Sequence, residues 1–183
     1  MKKAIHLLLS ASVAALFLVS CGGSGSSSSG KKASVNLDGY LNSLAQLRNV
    51  YTLCTGGYDS GNLINMTQSF YDTYQGLDAE VRELLDGHIA KYAADEPEFG
   101  DYLAAAGLIE SQEAIDDMAY RYFKDLDEAK KACDYNRQPE LERCIKKLKL
   151  ALSKEEREVF QQGRDRYFND NPDAKRRFIY SDL

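Results

Sequence analysis

Few residues in this sequence have the types and spacing that catalysis requires. Beyond residue 20 there is a single histidine, His88, which excludes sites built from several histidines and leaves one candidate partner for a nucleophile. His88 follows Leu84 and precedes Tyr92 at helical spacing, so a place on a core-facing helix stripe is favoured over a catalytic role. The sequence has neither a Gly-x-Ser-x-Gly elbow nor a Cys-x-x-Cys pair. No motif therefore predicts a metal or cofactor site.

One carboxylate remains as a catalytic candidate, Glu110, which Ser111 follows just before a helical segment. A carboxyl group in an apolar pocket can act as general acid and base on a glycosidic bond. In this respect the segment resembles lytic transglycosylases, all-α enzymes with a catalytic Glu followed by Ser, and that resemblance implies action on peptidoglycan. The Gly-rich motif found downstream in that family is missing here. Ser111 is better explained as the N-cap of the next helix.

Three cysteines follow residue 21, namely Cys54, Cys133 and Cys144. Cys133 ends one helical segment and Cys144 lies in the second turn of the next. An antiparallel hairpin can bring their α-carbons within the roughly 7 Å that a disulfide requires. We predict a Cys133–Cys144 disulfide, which an oxidising compartment would favour. The alternatives are a bond from Cys54 to either of them, or no disulfide, with Cys54 a buried residue or a reactive thiol.

Charge is distributed unevenly along the chain. Residues 34–128 contain 18 acidic and 5 basic residues, a net of −13, whereas residues 129–183 contain 14 basic and 10 acidic residues, a net of +4. Either the two halves attract each other as they pack, or the acidic half presents a face for a cationic partner. The basic runs at 146–149 and 175–177 are interpreted as solvated helix faces, with contact to anionic lipid headgroups as the alternative.

The first 21 residues have the organisation of an export signal. Two lysines are followed by sixteen uncharged residues, Ala4 to Val19, a stretch shorter than the roughly 20 residues of a membrane span. Leu18-Val19-Ser20-Cys21 resembles the bacterial lipobox, in which aliphatic and small residues precede an obligatory cysteine. The resemblance implies a bacterial lipoprotein precursor that is cleaved before Cys21 and lipidated on its thiol. An ordinary signal peptide with a chance cysteine is the alternative.

Composition divides the chain into three parts. Residues 1–20 are predicted to be the signal peptide, residues 21–33 the lipidated cysteine with a flexible Gly/Ser linker, and residues 34–183 a helical domain. Two or more acyl chains hold a protein firmly on a membrane, whereas one chain gives only marginal binding. The residue after Cys21 is Gly22 and not aspartate, which favours the outer membrane, facing the periplasm.

Apolar residues recur three and four positions apart through the domain, which predicts an all-α bundle of five to seven helices. Gly76 and Gly87 are candidate breaks in one long helical segment. The clearest helix is expected to begin near Ser111, and Pro139 is suited to the first position of the next one. Ser153-Lys154-Glu155-Glu156 has the pattern of a capping box, so a further helix is expected to begin there.

Together these features predict a membrane-anchored envelope lipoprotein that binds or scaffolds rather than catalyses. The expected partners are the membrane, through lipidated Cys21, and an envelope protein, while the export signal argues against nucleic acid. One alternative is an inhibitor or immunity lipoprotein whose acidic half binds a cationic cell-wall hydrolase. The other is an enzyme that acts on peptidoglycan through a carboxylate, with Glu110 as its candidate residue.

Overall fold

Every regular element that the structure describes is an α-helix, which confirms the all-α prediction. The computed structural model describes residues 37–57, 59–179, 181 and 183; the predicted signal peptide, Cys21 and the linker lie outside these residues. The helices in chain order are α1 (Leu37–Leu53), α2 (Ser60–Gln75), α3 (Ala79–Asp95), α4 (Pro97–Ala105), α5 (Ile115–Lys131), α6 (Arg137–Ala151), α7 (Lys154–Asp170) and α8 (Pro172–Arg177).

The long segment with two candidate glycine breaks is divided at the first of them. Gly76 ends α2, and its N–H donates to the Thr73 carbonyl at 3.2 Å, whereas Gly87 lies inside α3. Arg82 of α3 reaches back and donates to the Gln75 carbonyl at 2.9 Å, which satisfies an acceptor at the end of α2. The described residues form eight helices, one more than the upper end of the predicted five to seven.

The helices share one core within the compact unit Val35–Leu183. α5 and α7 meet backbone to backbone at Gly163, where an added Cβ would lie 2.0 Å from the Asp116 carbonyl oxygen. α4 lies similarly close to α3 at Gly100, where a Cβ would meet the Ala93 Cβ at 2.9 Å. The largest fully buried side chains are aromatic and aliphatic: Tyr102, Tyr122, Phe99, Phe123, Leu44, Leu47, Leu63, Leu85, Ile89, Leu103, Leu126 and Leu141.

Side chains from outside the helices help to define where two of them begin. The capping box at the start of α7 is confirmed, because Glu156 N–H donates to Ser153 Oγ at 3.2 Å and Ser153 N–H donates to the Glu156 carboxylate at 2.8 Å. α6 begins at Arg137, two residues before the predicted Pro139. The Asp134 carboxylate accepts the Arg137 N–H at 2.9 Å, so this side chain sets the earlier start.

A buried carboxylate connects α5, α7 and α8. Asp127 of α5 is completely buried, and its Oδ2 accepts from Tyr167 Oη at 2.8 Å and from Arg177 at 2.9 Å, with Lys131 Nζ at 2.6 Å. Burial by itself would raise the pKa of Asp127, but the hydrogen bonds from Arg177, Lys131 and Tyr167 lower it to about 2. The basic run at 175–177 is therefore not wholly a solvated face, since Arg177 neutralises this carboxylate.

The cysteines of the described residues carry free thiols, so the predicted Cys133–Cys144 disulfide is not formed in this structure. Cys133 is exposed in the turn after α5 at φ 52°, where two hydrogen bonds to the last turn of α5 close a Schellman motif. Cys144 is buried, and its thiol interacts with the Tyr51 side chain in the core. The two thiols thus occupy different environments. Cys54 is also buried, and burial raises its pKa.

Candidate functional site

α3 presents a different face to solvent from the one predicted. Its buried residues are Val81, Leu85 and Ile89, whereas Leu84 is 59% exposed and His88 is exposed as well. The predicted core position of His88 is therefore wrong. The sequence pattern placed Leu84 and His88 on the core-facing side of the helix. Leu84 and Leu85 are adjacent, so only one of them can face the core, and Leu85 is the one that is buried. The outward side of α3 combines an unburied leucine with acidic residues.

The carboxylates of α2, α3 and their flanking turns remain unpaired. Residues 59–95 contain seven carboxylates and two basic residues, Arg82 and Lys91, a net of −5. Within the described residues, none of the seven forms an ion pair. Glu80, Glu83 and Asp86 lie on the exposed side of α3, and we refer to these three residues as the α3 acidic face.

Carboxylates that follow α3 are neutralised within the fold. From residue 96 to residue 117, every carboxylate except Glu110 forms an ion pair. The pairs are Arg48–Glu96, Arg137–Glu98, Arg121–Asp101, Arg121–Glu113, Arg166–Asp116 and Arg166–Asp117. Arg137 and Arg166 come from the basic half, so attraction between the two halves explains part of the charge distribution. It does not explain the α3 acidic face.

An apolar groove runs along α3 beside this face. It has a volume of about 780 Å³, within the roughly 300–1,000 Å³ typical of ligand sites. Gly107, at φ +70°, turns the chain after α4, and Leu108 N–H then donates to the Leu103 carbonyl at 2.9 Å, which holds the following residues against α3. Small and aliphatic side chains form its apolar lining: Ala90, Ala93, Ala94, Leu108 and Ile109. We refer to it as the α3 groove.

Two carboxylates, Asp86 and Glu110, also line the α3 groove. Tyr74 donates to Asp86 Oδ1 at 2.6 Å. Burial and the bond to Asp86 raise the pKa of Tyr74 to about 12, so at neutral pH the phenol stays protonated and orients the carboxylate without neutralising it. The Arg82 guanidinium lies 5.2 Å from the centre of the Tyr74 ring but donates to the backbone carbonyls of Gln75 and Leu77 and forms no ion pair with Asp86.

The position of Glu110 suits electrostatic binding better than acid catalysis. Glu110 is exposed at the edge of the α3 groove, whereas acid catalysis by a carboxyl group uses a site that encloses it. Ser111 is not an N-cap, because α5 begins at Ile115 after Ala114, and the predicted start near Ser111 is wrong. The Ser111 hydroxyl instead accepts the Glu113 N–H at 3.3 Å within the loop.

In two other cavities, the buried polar side chains are hydrogen-bonded within the fold. In the cavity between α1 and α6, Lys147 is 5% exposed, donates to the Tyr51 carbonyl and lies 4.1 Å from the centre of the Tyr51 ring. Burial lowers the pKa of Lys147, and the prediction that this residue is solvated is wrong. In the cavity between α2 and α4, the Thr67 and Tyr102 hydroxyls bond to each other at 2.6 Å. Asp95 and Arg143 line the first of these cavities without an ion pair among the described residues, but their charges are opposite, whereas the two carboxylates of the α3 groove are both negative.

Comparison with known proteins leaves the function to be inferred from this geometry. No family model matches the chain, and neither a curated protein nor a solved structure is significantly similar to it. Among the described residues, no helix has the length and apolar character needed to cross a membrane. In the same residues, no group of His, Cys, Asp or Glu side chains is arranged to hold a metal ion. Within the part of the chain that the structure describes, the α3 acidic face and the α3 groove place unpaired carboxylates beside accessible apolar surface.

Proposed function

We propose that this chain is a bacterial envelope lipoprotein whose helical domain binds a cationic protein partner through the α3 acidic face. Support for the anchor comes from Leu18-Val19-Ser20-Cys21, which resembles the lipobox. Support for binding comes from one contrast within the described part of the chain: Glu80, Glu83 and Asp86 have no ion-pair partner there, whereas nearly all carboxylates of the next twenty residues do.

The physical case rests on repulsion between like charges. Glu80, Glu83 and Asp86 are spaced three residues apart on a helix, so neighbouring carboxylates repel each other, which destabilises the free domain slightly. A basic surface that approaches α3 removes this repulsion and gains attraction over a Debye length of about 8 Å at physiological salt. Such complementarity mainly raises the rate of association and excludes acidic proteins. A cationic cell-wall hydrolase, such as a muramidase or an amidase, has the required chemistry.

The direct test is a charge reversal with a matched control. In the E80K/E83K variant, the rate of association with a cationic muramidase or amidase should fall about tenfold or more at low salt, because steering by the α3 acidic face is lost. The control is E155K/E158K on α7, whose glutamates occupy the same positions relative to the helix start, are exposed and form no ion pair among the described residues. Both variants change the net charge by the same amount.

Surface plasmon resonance at low and high salt measures both variants. We expect E155K/E158K to bind nearly as well as the unmodified domain, and the difference between the two variants to shrink as salt is added. An equal loss in both variants would mean that only net charge matters. That outcome, or failure to bind at any salt concentration, would contradict the proposal.

A further inference from the structure

The α3 groove has an apolar floor with carboxylates beside it, and this combination restricts what can occupy it. Ala90 and Ala94 are both exposed, so apolar surface at the floor is accessible to a partner. Asp86 lies on α3, and Glu110 lies on the loop after α4, so negative charge borders the floor from two separate elements. An occupant must therefore supply apolar surface and positive charge together.

We infer that the α3 groove receives one aliphatic side chain from a basic segment of the partner protein, with lysine or arginine residues on either side that pair with Asp86 and Glu110. This inference rests on the proposed function and specifies the partner's chemistry. The alanines leave room above the helix because their side chains end at Cβ, and Ile109 contributes a branched apolar wall. The aliphatic side chain would supply contact area, and the flanking charges would fix its position.

Charge complementarity favours this occupant over two others. A bacterial membrane surface is anionic, so its headgroups would be repelled by Asp86, Glu110 and the α3 acidic face. A second copy of this domain that docked symmetrically through the same face would bring the same net charge of −5 over residues 59–95 against itself. A basic peptide segment meets neither obstacle.

The test separates the contribution of the apolar contact to peptide binding from the contribution of charge. Two synthetic helical peptides serve as probes: one carries a leucine between two lysines on one face, and the other has alanine in place of that leucine. The unmodified domain should bind the leucine peptide about tenfold more tightly, because an aliphatic side chain in a matching pocket contributes a factor of roughly 10–200. Fluorescence anisotropy measures both dissociation constants.

The A90Q/A94Q variant fills the groove without changing charge, and glutamine is well tolerated on an exposed helix face. We expect this variant to lose the preference for the leucine peptide while it keeps salt-sensitive binding to both peptides. H88Q, an exposed substitution on the same helix outside the groove, should retain the preference. Circular dichroism establishes that all variants are equally helical.

Several results would overturn the inference. A leucine preference that survives in A90Q/A94Q would place the apolar contact elsewhere. Loss of self-association, or of binding to anionic vesicles, in A90Q/A94Q would assign the groove to a second copy or to lipid. If E80K/E83K abolishes binding of both peptides but the unmodified domain shows no leucine preference, the groove inference fails and the proposed function stands. If E80K/E83K leaves peptide binding unchanged, both fail.

Discussion

Replacing Gly163 by alanine should lower the free energy of unfolding by about 3 kcal/mol, the upper part of the range for overpacked sites. The new Cβ would lie 2.0 Å from the Asp116 carbonyl oxygen and 2.7 Å from its carbon. Both distances are far shorter than van der Waals contact, and the atoms it meets are backbone, which no side-chain rotation can move. α5 and α7 would have to separate along the core they share.

A second glycine provides the control for this experiment. Gly87 also lies inside a helix, but a Cβ there meets nothing within 4 Å. Gly87→Ala should therefore stabilise the domain by about 0.5–1 kcal/mol, because alanine loses less backbone entropy in a helix than glycine does. Urea denaturation of the two variants measures both changes. If Gly163→Ala unfolds at the same urea concentration as the unmodified domain, the close contact of α5 and α7 is wrong.

Replacing Asp127 by asparagine should destabilise the domain by about 3 kcal/mol, the lower end of the range for breaking a buried ion pair. Asparagine cannot balance the charge of Arg177 and Lys131, and its amide N–H groups face donors where the carboxylate accepted. The loss stays at the lower end because Lys131 is half exposed and can be solvated. Glu128→Gln is the control, since this neighbouring residue is exposed and its ion pair with Lys124 is long, at 4.0 Å.

The Asp127 carboxylate also makes the stability of the domain depend on pH. The pKa of Asp127 is about 2 in the folded domain, against an ordinary value of 3.8, so unfolding takes up a proton at intermediate acidity. Its contribution to stability is therefore fully present above about pH 4 and is lost as the pH falls from about 4 to about 2. Thermal melts of Asp127→Asn should lack this acid-dependent component. If the variant and the unmodified domain differ in stability by the same amount at pH 5 and at pH 2, Asp127 is not the source of the pH dependence.

Local sequence patterns predicted the helices better than the contacts between them. The apolar spacing of α5, α6 and α7 and the capping box at Ser153 involve residues within one or two turns, so the chain itself contains the signal. One partner of Asp127, Arg177, is fifty residues away in the sequence, and no periodicity indicates it. Gly163 is a helix-disfavouring residue that only the position of Asp116 explains. Such local patterns contain no information about contacts between residues that are far apart in the sequence.

The candidate site could be predicted only in part. The excess of acidic residues in the first half was visible from composition, but which carboxylates remain unpaired depends on arginines that arrive from elsewhere, as Arg137 and Arg166 do. Glu110 was identified for a different chemistry. The α3 groove was missed because three alanines and a turn at Gly107 form it, and none of these residues suggests binding until the fold brings them together.

The proposed anchor would strengthen binding by the acidic domain. If the predicted Gly/Ser linker behaves as a random coil, about twelve residues would span roughly 20 Å, and the helical domain would stay close to the membrane while remaining free to rotate. Confinement raises its effective concentration for partners at the same surface, which lets a modest, salt-sensitive affinity suffice. A domain released from the membrane would lose this advantage, so the function we propose depends on the lipid.

Mass spectrometry of the protein purified from a bacterial membrane fraction tests this dependence most directly. We expect a mature chain that begins at Cys21 and carries the added mass of diacylglycerol and an acyl group on that residue, and we expect the Cys21→Ser protein to leave the membrane fraction. An unmodified thiol at Cys21, or a Cys21→Ser protein that still sediments with membranes, would show that the chain is not a lipoprotein.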